Sequence, residues 1–390
     1  MKNRYISSLA WLLSSMMLLM TGACCSSDDE DAQENGVDKK PAMLAIYVYS
    51  PERAAARQAL KTRGDVGNVD VSTAAEGEIR SLQLWIYEST SGNYVGYLGT
   101  EEVASLNNGE GMTYQIPVSD EFAANKPKVD VYVQANVKAA NCGVGTLNEK
   151  TTRKDLMAGA KIVEAKFGLG NLQTSVPDQG LPMSGMLTTQ PVVGDAPALR
   201  VGTMNEVSTV ALTRAVSKLR FVFAKTTGQP EVSITSIKMN AGMIPEVEYL
   251  FDKTQALTYN ASARELLSLP ISDIAETTDP TNYIYFNQEA QAYENLINDA
   301  ASKQPDPEVT VRGPIYLRES DKQLAGTISY TIDGDLEQTV NFQMQQAGDF
   351  LRNHTWIVYA YYAGSGKLKV QTIYVKNWEN RIINYDFYNW

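Results

Sequence analysis

One histidine, His354, stands among the 390 residues, so a multi-histidine metal centre or an ordinary Ser-His-Asp site cannot be assembled. Cysteine is equally scarce. Two of the three sit side by side as Cys24 and Cys25, and only Cys142 lies in the body of the chain. Without an intrachain disulfide there, the body depends on its hydrophobic core, and Cys142 reads as a small buried apolar residue. Positive charge is in deficit: 34 Lys and Arg against 45 Asp and Glu give a net charge of -11. That balance excludes a phosphate-neutralising face for nucleic acid. The run Gly364-Ser-Gly-Lys367 lacks the first glycine and final Ser/Thr of a phosphate loop, and Asp333-Gly-Asp335 is too short for a calcium loop. We nominate no catalytic residue, metal ligand or cofactor, and read the chain as a non-enzyme.

The longest early apolar run, Leu9 to Met20, is too short for a membrane span. It follows Lys2 and Arg4, which makes residues 1–23 an export signal. The segment ends Thr-Gly-Ala-Cys-Cys. Small residues before Cys24 resemble the lipobox of a bacterial lipoprotein, with Cys24 as the lipidated (palmitate-bearing) residue. Thr21 stands where that motif usually has leucine, and the competing reading is a plain secretory signal. The acidic stretch after Cys25 is a tether that cannot bury a core, and it resembles a surface-export signal. The predicted location is the outer membrane and the cell surface.

Met43 to Tyr49 reads as a strand. Leu44, Ile46 and Val48 share one face, and Ala45, Tyr47 and Tyr49 share the other, so both faces ask for burial. A connector follows, with Arg53, Arg57, Lys61 and Arg63 among small and polar residues, and such a segment suits a trypsin-like protease. Cleavage after Arg63 would leave Gly64 first, with Arg53 and Arg57 as competing sites. The bland alternative is a first strand and a surface loop.

Tyr (21 residues), Thr and Val recur through the rest, which favours strands. Expected strands cover Glu78 to Glu88, Tyr94 to Leu98, Thr113 to Val118, Lys128 to Val137 and Val207 to Thr213. A second set covers Lys218 to Phe223, Glu231 to Met239, Tyr283 to Asn287, Glu308 to Arg318, Gln323 to Ile332, Glu337 to Gln345, Thr355 to Ala363 and Lys367 to Val375. A phase slip between Ile79 and Leu82 predicts a bulge or a bend there. Asp333-Gly334 predicts a hairpin. Helices are expected at Thr151 to Val163, capped by Thr152, and at Glu289 to Ala301. This spacing predicts an all-β chain with minor helices: two tandem sandwiches, at 64–213 and 214–390.

Four stretches carry a resemblance. Val210 to Phe223 (VALTRAVSKLRFVF) is similar to the joint between the two domains of Bacteroidales fimbrillins. Leu181 to Gly185 (LPMSG) resembles an element of their N-terminal domain, and Phe350 to Tyr362 (FLRNHTWIVYAYY) resembles the opening of their terminal hairpin. Glu78 to Gly96 resembles their first mature strand. With the lipobox and the Lys-Thr-Arg-Gly junction, these lie in the family's order over nearly the whole chain. The implied family is the type V pilins, whose major fimbrial subunits have two transthyretin-like β-sandwiches. The resemblance implies a lipidated precursor, removal of the strand carrying Leu44, Ile46 and Val48 by an arginine-specific surface protease, and donor-strand exchange with other pilin subunits. It implies a fimbrium (pilus) supporting cell adhesion, with a host or bacterial receptor as a further partner.

Lys367 to Trp390 is the donor candidate, with Ile383, Tyr385 and Phe387 on one face of its last part. The competing reading keeps these residues at home as an edge hairpin. The function alternatives are a monomeric surface lipoprotein that binds glycan or a host ligand through exposed Trp and Tyr, and a tip or anchor pilin.

Overall fold

A computed structural model describes residues 41–49, 74–100, 111–138, 142–143, 145–163, 167–168, 171–172, 174–191, 193–195, 208–267, 270–280, 309–344, 347–348 and 350–375. In its first half the strands are β1 (Ala42–Tyr49), β2 (Leu82–Glu88), β3 (Tyr94–Thr100), β4 (Met112–Pro117), β5 (Val129–Ala135), β6 (Lys161–Val163), β7 (Phe167–Gly168), β8 (Asn171–Leu172), β9 (Met183–Thr189), β10 (Val193–Asp195), β11 (Ser208–Ala211) and β12 (Thr213–Arg214). The second half adds β13 (Ser217–Thr226), β14 (Val232–Met239), β15 (Val247–Tyr249), β16 (Arg264–Glu265), β17 (Glu276–Thr277), β18 (Thr310–Leu317), β19 (Ala325–Ile332), β20 (Gln338–Gln343), β21 (Thr355–Tyr362) and β22 (Leu368–Val375). Two short helices, α1 (Asp120–Asn125) and α2 (Arg153–Gly159), are capped by Ser119 and Thr152, whose side chains accept from Phe122 N and Asp155 N.

The architecture is an all-β sandwich. One sheet places β1 between β4 on one side and β10 and β11 on the other. A second runs β12-β9-β5-β2-β3. Leu44, Ile46, Val48, Ile116 and Val210 from the first pack against Leu84, Ile86, Val131, Val133 and Met183 from the second. In the second half, β17-β13-β21-β22, with β18 also on β13, faces β16-β14-β19-β20 across a core holding Phe221, Phe223, Ile328, Phe342 and Trp356. The strands that look apolar throughout are those buried on both faces, as in β21, where all eight residues are buried.

Several sequence expectations need correction. The helix expected over Thr151 to Val163 stops at Gly159, and residues 161–163 become β6, which pairs with β15. That long-range ladder overrides the local helical spacing. No bulge interrupts a strand between Ile79 and Leu82, because β2 begins only at Leu82, and Ile79 is buried just ahead of it. The irregularity in β2 falls instead at Ile86/Tyr87, opposite β3. The end of the LPMSG stretch opens a seven-residue strand, β9, from Met183. The strand at Tyr283 to Asn287 and the helix at Glu289 to Ala301 lie outside the described residues.

Local turn chemistry reads well. Asp333 and Gly334 both take positive φ (51° and 76°), and Asp335 N donates to Ile332 O at 3.0 Å, so β19 and β20 are joined as the Asp-Gly pair predicts. Cys142 is a free, buried thiol, and burial pushes its pKa up to about 12. His354 stands beside the start of β21, with Nδ1 2.8 Å from Arg352 O.

Candidate assembly groove and the junction behind it

β1 carries the three inward residues named from the sequence, and Leu44, Ile46 and Val48 are each fully buried. It is an interior strand. Met43 to Val48 pairs antiparallel with Pro117 to Met112 of β4. On its other edge Ala42 to Leu44 pairs with Asp195 to Val193 of β10, and Ile46 to Tyr49 runs parallel to Ser208 to Ala211 of β11. Both ends are tied as well: Val118 N donates to Ala42 O at 2.9 Å, and Leu212 N donates to Tyr49 O at 2.8 Å. The outward face is less buried. Tyr47 and Tyr49 lie 5.8 Å apart, and Tyr47 Oη accepts from Gly111 N at 3.1 Å.

This strand is thus inserted between elements that come from 70 to 160 residues later in the chain. Without it, β4 on one side and β10 and β11 on the other would present unpaired backbone edges, and Ile116 and Val210 would lose their apolar neighbours. Chemically the site is a slot for one extended strand with three inward side chains. Of the other residues singled out from the sequence, Cys24, Arg63, Gly64, Ile383, Tyr385 and Phe387 lie outside the described residues. The donor candidate is also shortened. Residues 368–375 form β22, paired along their whole length with β21, and residues 376–390 lie outside the described residues.

The sequence motifs converge at a second place. Arg214 pairs with Met183 across β12 and β9, and Ala215 N donates to Pro182 O at 2.7 Å. Arg352 Nη1 donates to Ser184 Oγ at 3.1 Å, and Arg214 Nη1 donates to Asn353 Oδ1 at 3.3 Å. The LPMSG, TRAVSK and RNH stretches therefore form one junction. Asn353 takes φ 59°, a conformation that asparagine tolerates better than most residues. Gly185 sits where β9 and β11 approach closely: a Cβ there would meet Ala211 O at 2.4 Å.

Sequence reasoning missed the residue at the centre of this junction. Glu76, in a single 3-10 turn just before β2, is 1% exposed. Lys218 Nζ lies 3.0 Å from its carboxylate, Tyr316 donates to it, and Arg214 Nε donates to its backbone carbonyl at 2.9 Å. Burial alone would raise its pKa, but Lys218, Arg214 and Arg220, with the Tyr316 hydrogen bond, hold it down to about 2. Nothing local marks Glu76. The signal available was on the other side, in Arg214 and Lys218, two cations within a buried strand pattern that demand a carboxylate. Nearby, Arg352 pairs with Glu248 at 2.5 Å and with Glu319 at 3.1 Å, and burial raises the Glu248 pKa against the pull of Arg352.

Comparison with solved structures bears on the fold. A candidate cell adhesion protein from Parabacteroides distasonis superposes with a TM-score of 0.50 over 87% of this chain and 98% of its own, at 14% identity. The chain has a type V pilin-like fold. The tip fimbrial protein Mfa3 from Porphyromonas gingivalis, C-terminally truncated, gives 0.45 at 14% identity, covering 86% of this chain and 99% of that one. The fimbrial anchor protein Mfa2 from Porphyromonas gingivalis gives 0.38 at 11% identity, covering 85% and 99%. No family model and no curated sequence matches the chain.

Proposed function

We propose that this protein is a structural subunit of a cell-surface fimbria that supports adhesion. In this reading it is exported as an outer-membrane lipoprotein precursor lipidated at Cys24. An arginine-specific protease cuts after Arg63, β1 leaves, and a strand from another subunit takes its place. The stalk is the position proposed, since the chain has both a removable strand and a terminal candidate donor. The bodies would be an N-terminal sandwich over 64–213 and a C-terminal one over 214–390. The observation that supports the reading most is β1 itself: an interior, fully paired, three-anchor strand followed by residues 50–73 with their basic sites. A strand placed that way can be filled again from outside by ladder hydrogen bonds and apolar burial together.

The likeness to fimbrial and adhesion proteins supports the same class. Of the Trp and Tyr platforms that a monomeric binder would use, Trp85 and Trp356 are buried and Tyr94 is exposed. The test is N-terminal sequencing of subunits recovered from assembled fibres. Gly64 at the N-terminus is the expected result, and fibres built of chains still beginning at Cys24 would refute the stalk reading. Arg63→Ala should yield a folded precursor that does not polymerise.

A further inference from the structure

The groove around β1 is not uniformly apolar, and its middle rung is different from the other two. Leu44 stands opposite Ile116 and Val193, and Val48 stands opposite Met112 and Val210. Ile46, between them, is flanked by Tyr114 on β4 and by Ser208 on β11. Residues directly opposite in a ladder share a face, so two hydroxyl-bearing side chains border the position that β1 fills with an isoleucine. Tyr114 packs against the inner core, and Ser208 is buried. The Tyr114 hydroxyl oxygen is shielded from solvent and has no hydrogen-bond partner among the described residues. Burial accordingly pushes the Tyr114 pKa up to about 12. A buried hydroxyl without a partner weakens the state that contains it.

The sequence that follows β22, residues 376–390, offers a different middle residue. Ile383, Tyr385 and Phe387 alternate as Leu44, Ile46 and Val48 do, and in either chain direction the central one is Tyr385. We propose that β1 is a placeholder whose isoleucine leaves the middle rung unsatisfied, and that the C-terminal segment of a second copy of this chain satisfies it, with Tyr385 hydrogen-bonding Tyr114 at the position of Ile46. This rests on the strand-exchange reading above and adds a chemical reason for the exchange. The leaving and the entering strands bury comparable apolar residues, and the middle rung discriminates between them. Ser208 on the other edge supplies a second hydroxyl for the same polar tip.

Three full-length variants test it: Tyr114→Phe, Tyr385→Phe and the double variant, each cleaved by an arginine-specific protease and assembled. Removing a hydroxyl and keeping the ring leaves the packing in place. Fibres of either single variant should release subunits roughly fivefold to tenfold faster than unaltered fibres, the range of one lost net hydrogen bond. The double variant should be no worse than either. The uncleaved Tyr114→Phe precursor should be at least as heat-stable as the unaltered one, since it loses an unsatisfied group. Unchanged release from Tyr385→Phe fibres, or losses that add in the double variant, would overturn the middle-rung pairing and leave strand exchange standing. Normal fibres from a chain ending at Val375 would overturn the C-terminal donor, and this pairing with it.

Discussion

Glu76 carries a buried charge that is stabilised on every side, and its position makes it the residue whose loss should be felt most. Lys218 and Tyr316 lose their carboxylate partner in Glu76→Ala, while the backbone carbonyl that accepts from Arg214 Nε stays, and the change should cost about 3–5 kcal/mol, measured by chemical denaturation of the precursor. The acid response follows from the same contacts. Its folded pKa, about 2, lies below the ordinary 4.5. A depressed carboxylate contributes stability that is present above its unfolded pKa and is lost as pH falls through the folded one. The melting temperature should therefore drop between roughly pH 4.5 and pH 2, and Glu76→Gln should flatten that part of the profile. Gly185 is the second residue with a sharp requirement. A methyl at this position meets Ala211 O at 2.4 Å and Val210 Cγ1 at 2.9 Å, so Gly185→Ala must push β11 away from β9. The expected cost is about 1–3 kcal/mol by denaturant midpoint, with β11 displaced from β1, its parallel neighbour.

At the scale of elements, β1 and its groove separate two states of the same chain. Ile46→Ala removes a fully buried side chain from the precursor and should destabilise it by about 2–5 kcal/mol. If β1 is discarded on assembly, the same substitution should leave fibre stability untouched. Thermal unfolding of precursor and fibres, compared for this one variant, reads both. An effect carried into the fibre would mean that β1 stays. β1 was legible in the sequence because its alternation and its two apolar faces are local. Its neighbours were not. β4, β10 and β11 read as ordinary strands or loops, and only the observed register shows that they close around it. β6 shows the opposite failure. Lys161 to Val163 continues a helical spacing, yet it serves as a strand because β15 offers it a ladder.

At the scale of the molecule, the two halves share structure across their junction. Trp85, Tyr87 and Phe167 pack in one cluster with Leu250 and Tyr316, β6 pairs with β15, and Arg318 N donates to Phe167 O at 3.0 Å. A shared core couples the unfolding of the parts it joins. Calorimetry of the precursor should show one cooperative transition. Ile162→Ala, at the cross-junction ladder, should lower that transition by about 2–5 kcal/mol without splitting it. Two resolved transitions in the unaltered precursor would show that the sandwiches unfold independently.

The sequence by itself determined the features that short stretches encode. Periodicity of two marks the strands, the Asp-Gly pair sets a hairpin, Thr152 caps a helix, and the ordered LPMSG, TRAVSK and RNH stretches point to one kind of fold. What tertiary structure decided is every pairing between distant segments: β1 between β4 and β11, the three motifs in one junction, and Glu76 beneath Lys218 and Tyr316. Glu76 and Tyr114 show the reason most directly. A solvated glutamate and a core glutamate look alike in sequence, as do a bonded and an unbonded tyrosine hydroxyl. Their difference lies in burial and partners, which exist only after strands far apart in the chain have closed on one another.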